Sequence, residues 1–99
     1  TFMQRQIKIA IAEDHLIFRQ GMIKMLEDYE DIKVIFHVSN GKELLDELKK
    51  LTPDIILLDI GMPIMPGNIA MEKIIIKYPQ IKIICIYELP LSHQQLWQS

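Results

Sequence analysis

Asp54-Ile55-Ile56-Leu57-Leu58-Asp59-Ile60-Gly61-Met62-Pro63 is the stretch that decides the architecture. Ile55 to Leu58 are apolar without any alternation of apolar and polar positions. A strand with one face in water alternates, whereas a strand covered on both faces reads as a continuous apolar run, as in a parallel sheet. An acid closes the run. A carboxylate at the end of a covered strand points out of the sheet into a crevice, which marks Asp59 as placed for chemistry. Gly61 and Pro63 then break the strand.

Three further runs rich in β-branched residues flank this one, at Ile7–Ala12, residues 33–39 and residues 81–87, with the central run taken as 54–59. The chain holds nineteen isoleucines, many of them in these runs, which favours strands there. Helical spacing fills the gaps. Residues 15–28 place Phe18, Met22 and Met25 or Leu26 on one stripe. Residues 40–51 open on Asn40-Gly41-Lys42-Glu43, a capping box, with Leu44, Leu45, Leu48 and Leu51 as the buried side. Residues 68–78 carry Met71, Ile74, Ile75 and Tyr78 at helical steps, and Pro79 stops them. The order β-α-β-α-β-α-β, with right-handed crossovers, gives an α/β fold with a doubly wound parallel sheet.

Composition narrows the function. At 49% hydrophobic and 24% charged, with four Gly and five Pro, the 99 residues suit one globular domain and not a disordered or collagen-like chain. A net charge of −2 without a basic cluster argues against a nucleic-acid surface. A single cysteine, Cys85, excludes an internal disulfide framework and a cysteine zinc site. No apolar run reaches the roughly 18 residues of a membrane span, and residues 1–8 lack a signal-peptide core, so the expected location is cytoplasmic. The motifs G-x-G-x-x-G, G-x-x-x-x-G-K-[ST], G-x-S-x-G and H-E-x-x-H are all absent.

Ligands of such sheets bind beyond the carboxyl ends of the strands, where the strand order reverses. The first run ends in Ala12-Glu13-Asp14-His15 and the third in Asp59. If these strands are neighbours, Glu13, Asp14 and Asp59 converge. Carboxylates so close raise one another's pKa unless a cation joins them. Mg²⁺, a hard ion that takes a few carboxylates and keeps several waters, suits the place, and the backbone carbonyl of Gly61 could complete its shell. Read alone, Asp14 is a helix cap and His15 a solvated residue at a helix start; Asp59, ending a covered run, has no such bland explanation. His37 and His93 share no metal-ligand spacing with anything else.

The acid pair Glu13-Asp14 and the stretch from Asp54 to Gly67 resemble the receiver domain of two-component response regulators, over about residues 7–86. Residues 12–15 and Arg19-Gln20-Gly21-Met22 are similar to receivers of the LuxR-like type, which precede helix-turn-helix DNA-binding domains. The resemblance implies a flavodoxin-like sheet in the order 2-1-3-4-5. It implies that Asp59 is the phosphoacceptor, attacking a phosphohistidine on a sensor histidine kinase. It implies that Glu13, Asp14, Asp59 and the Gly61 carbonyl hold Mg²⁺, and that the domain promotes its own phosphorylation and dephosphorylation without being an enzyme in the ordinary sense. Gly67 would let the loop after Asp59 fold back tightly.

The sequence departs from that pattern in places. The family has Ser or Thr at the end of the fourth strand, where Tyr87 stands as a degenerate switch residue. The family's Lys after a fifth strand has no counterpart, the last lysine being Lys82. Pro66 replaces a common Asp or Asn. Residues 1–87 are thus expected to form an incomplete receiver, in the order 2-1-3-4 without the fifth strand and last helix, and residues 88–99 an atypical tail. A bare fourth-strand edge is expected to make the chain dimerise, by edge pairing or by exchanging its C-terminal segment, with Leu91, Leu96 and Trp97 helping to cover the partner or its own core. The alternative function is a phosphorylation-independent scaffold or dimerisation module. A phosphatase of similar topology would need a second acid two residues beyond Asp59, where Gly61 stands. No nucleic-acid or membrane partner is expected for this chain.

Overall fold

The β-branched runs form strands and the periodic segments form helices in a computed structural model that describes residues 5–86. The order is β1 (Ile7–Ala12), α1 (Leu16–Glu27), β2 (Ile32–Val38), α2 (Gly41–Leu48), β3 (Ile55–Asp59), α3 (Gly67–Lys77) and β4 (Lys82–Ile86). All strand pairs are parallel, and the sheet runs β2-β1-β3-β4. Tyr87 and residues 88–99, including Leu91, Leu96 and Trp97, lie outside the described residues.

This order determines which face each helix covers. The β1–β2 crossover steps one way along the sheet, whereas β2–β3 and β3–β4 step the other way. With right-handed crossovers, α1 lies on one face and α2 and α3 on the other. The pleat agrees with this. Ala10, Ala12, Ile56 and Leu58 share a buried cluster with Leu44 and Leu48 of α2 and Ala70 and Ile74 of α3. Ile9 and Ile11, on the opposite pleat of β1, are also buried but stand outside that cluster.

Several expected core residues are elsewhere. No residue of α1 is fully buried, and Phe18 and Met25 are exposed, so its predicted stripe faces a thinly covered side of the sheet. Leu51 lies past the end of α2 and is exposed, and Ile75 points away from the core that takes Ile74. Ala70 is fully buried in their stead, because its small side chain lets α3 approach the sheet closely. β1 has the expected bounds, and the other element ends differ from the sequence expectation by at most three residues, as fraying termini do.

Candidate functional site

The strand order reverses between β1 and β3, which are direct neighbours pairing Ile9 with Ile55 and Ala12 with Leu58. Their carboxyl ends therefore open onto one crevice. β1 delivers Glu13 and Asp14 there, and β3 ends in Asp59. Ligand atoms of Glu13, Asp14, His15 and Asp59 all lie within 4.8 Å of one another. Glu13 and Asp59 are buried, at 2% and 3% exposure, while Asp14 is partly open and His15 stands at the rim.

Few hydrogen-bond donors balance this charge. The Gly61 N–H donates to Asp59 Oδ1 at 3.0 Å. The His15 N–H donates to Glu13 Oε1 at 3.3 Å, and the ring Nδ1 lies 2.8 Å from the same oxygen and 3.5 Å from Asp14 Oδ1. Arg19 reaches in from the first turn of α1 but spends its NH1 on the backbone carbonyl of Glu13, at 2.8 Å. Asp14 Oδ1 is buried with no hydrogen-bond partner. Burial pushes the Asp59 carboxyl up to about 6; the Gly61 N–H pulls it down, and Asp14 and Glu13 raise it further. A buried carboxylate oxygen without a donor, facing two more carboxylates, is a donor set that suits a hard divalent cation.

The loop after β3 is held from both sides. A side chain on Gly67 would meet the Asp59 carbonyl at 2.2 Å, and the Gly67 N–H donates to the Ile60 carbonyl at 3.0 Å. Gly41, opening α2, has the same intimacy with Met65: its N–H donates to the Met65 carbonyl at 3.2 Å, and an added Cβ would sit 2.6 Å from that oxygen. Between these clasps Ile64 takes φ 67°, a strained conformation for a β-branched residue.

The sequence reading placed Asp14 with Glu13 and Asp59 in a metal site, a helix cap being its bland alternative, and His15 in solvent. In the structure His15 is the N-cap residue of α1, with no side-chain cap bond, and its ring turns to the acids. Arg19 entered the sequence reading only as part of the LuxR-like resemblance and not as a site residue, although its position one turn beyond His15 was a usable signal. Gly61 contributes its N–H to Asp59. Tyr87 is outside the described residues.

Residues 9–88 match the family described as the response regulator receiver domain. The response regulator GacA of Pseudomonas syringae pv. syringae is 32% identical over 80 residues, which are 81% of this chain and 37% of that protein. The transcriptional regulatory protein LnrK of Bacillus subtilis is 36% identical over 80 residues, 81% of this chain and 36% of LnrK. The chain thus spans little more than a third of the length of these curated relatives. Among solved structures, RcsB of Salmonella enterica serovar Typhimurium, bound to promoter rprA in the presence of phosphomimetic BeF3⁻, superimposes with a TM-score of 0.76. It is 27% identical, and the match covers 82% of this chain and 42% of RcsB.

Proposed function

This chain belongs to the response regulator receiver domain family, and from that premise we propose that Asp59 accepts a phosphoryl group from the phosphohistidine of a sensor histidine kinase, in the cytoplasm, as the input step of a transcriptional regulator. Glu13, Asp14, Asp59 and the Gly61 carbonyl would hold Mg²⁺. When bound, the ion supplies positive charge against the carboxylates and the phosphoryl oxygens.

The chain's own residues do the rest. Gly61 fixes one oxygen of Asp59 and leaves the other as nucleophile. That oxygen forms the new O–P bond as the P–N bond of the donor breaks. The Gly67 N–H on the Ile60 carbonyl, packed close against the Asp59 backbone, holds the strand end while charge shifts. From a small phosphoryl donor the domain would phosphorylate itself, and it would later release the phosphate to water. The observation that carries this reading is the buried Asp59 gathered with Glu13 and Asp14 around an oxygen that lacks any hydrogen bond. The test is beryllium fluoride binding by calorimetry. It is expected with Mg²⁺ and absent both without the ion and in Asp59→Ala; equal binding by that variant overturns the assignment.

A second reading is favoured by Tyr87 and by β4. Tyr87 stands where the family's small hydroxyl residue belongs, and among the described residues β4 pairs only with β3 while Ile84 is half exposed. In this reading the chain signals by association alone, as a homodimer through the β4 edge. Wild-type protein that never takes up beryllium fluoride yet dimerises selects it.

A further inference from the structure

Resting on the divalent-ion centre proposed above, we infer that His15 is a further protein ligand of that centre and turns its preference from Mg²⁺ toward borderline ions such as Co²⁺. Three carboxylates alone make an all-oxygen set, which suits Mg²⁺. The structure adds an imidazole to it. A ring nitrogen of His15 belongs to the same group of ligand atoms within 4.8 Å, and its Nδ1 stands 3.5 Å from the Asp14 oxygen that has no hydrogen bond. Cis ligands of a six-coordinate first-row ion stand roughly 3 Å apart, so an ion reached by Asp14 Oδ1 is also within reach of this nitrogen.

The backbone explains why the ring points inward. Chain direction changes at His15, the N-cap residue of α1, where φ −79° and ψ 105° are extended. The side chain makes no bond to the helix's first N–H groups, and the ring lies back over Glu13 and Asp14 instead. The ring is more than half exposed, at 55%, so it occupies the mouth of the crevice. Mg²⁺ gains little from a nitrogen donor, whereas imidazole suits later first-row ions, and affinity for a mixed N/O site rises from Mn²⁺ through Co²⁺ to Cu²⁺.

A rival role is confined to the protein: Nδ1 holds Glu13 Oε1 and only positions it. Two variants separate the roles. His15→Ala removes both nitrogen and hydrogen bond. His15→Gln keeps a donor for Glu13 but offers no imidazole. The experiment is competition of Co²⁺ against Mg²⁺ by calorimetry on the full chain, together with pulsed electron paramagnetic resonance of bound Mn²⁺, which reads ¹⁴N coupling directly. Both variants should lose Co²⁺ affinity by about tenfold or more while Mg²⁺ affinity stays within about twofold, and the nitrogen coupling of wild type should vanish in both. Ions that bind without nitrogen coupling, or Co²⁺ and Mg²⁺ affinities that fall together, overturn the assignment of His15 while leaving the carboxylate centre standing. A wild-type chain that binds none of these ions overturns the centre itself.

Discussion

Asp59 costs the metal-free protein stability, and the sign of that cost is measurable. Its folded pKa, about 6, lies above the ordinary value of 3.8, chiefly through burial. The folded chain therefore holds this proton more tightly than the unfolded one. Stability falls as pH rises between those values, and above about 6 the full penalty, about 3 kcal/mol, is in place. Asp59→Asn keeps the acceptor for the Gly61 N–H and removes the charge. In chelator at pH 8 it should melt higher than wild type by thermal denaturation, with the difference closing below pH 4; a lower melting point at pH 8 contradicts the assigned strain. This residue was legible in the sequence because a covered apolar run ended on it. His15 was not. The direction of its ring depends on the backbone angles of a helix cap, which residue identity leaves open. The Gly67 clasp was legible only as a need for a tight loop, since the atom it must avoid, the Asp59 carbonyl, is brought there by the fold.

Among the elements, α2 announces itself most fully. Asn40 accepts the Glu43 N–H through Oδ1 at 2.9 Å, and Glu43 Oε1 takes the Ser39 hydroxyl at 2.6 Å and its N–H at 3.2 Å. These bonds hold the Glu43 carboxyl below its usual range. Asn40→Ala should cost about 1 kcal/mol in urea unfolding; an unchanged midpoint contradicts the cap. Because Gly41 also holds Met65, the same cap steadies the loop that follows Asp59. The sequence was a poorer guide to α1. Its periodicity named the side that faces the sheet but not how much partner that side would find. Packed mainly on β2, α1 leaves Phe18 and Met25 in water. Ile74 and Ile75 make the same point on α3: adjacent isoleucines satisfy the helical pattern almost equally, and only packing chose Ile74.

At the scale of the molecule, the described residues cover the two faces of the sheet unequally. Two helices close one face over Ala10, Ala12, Ile56 and Leu58. On the other, Ile55, Leu57 and Ile86 are half-buried and Ile84 is exposed beside the edge of β4. Exposed apolar surface beside a strand edge that is unpaired among the described residues invites a further strand. Sedimentation equilibrium should show a dimer that Ile84→Lys converts to a monomer; wild-type protein that stays monomeric at high concentration contradicts pairing through β4. The parallel, doubly wound sheet was readable from element order and crossover handedness, but the strand order, and with it the meeting of the ends of β1 and β3, came only with the receiver resemblance, because handedness does not choose which strands are neighbours. Among the described residues no helix is long and apolar enough to cross a membrane.

The most direct test of the account is intact-mass spectrometry of the chain incubated with acetyl phosphate. The account predicts that the mass of one phosphoryl group is gained with Mg²⁺, not gained in chelator, lost by hydrolysis once acetyl phosphate is removed, and never gained by Asp59→Asn. Phosphoryl uptake that is unchanged in that variant, or no uptake by wild type at any Mg²⁺ concentration, contradicts Asp59 as the phosphoacceptor.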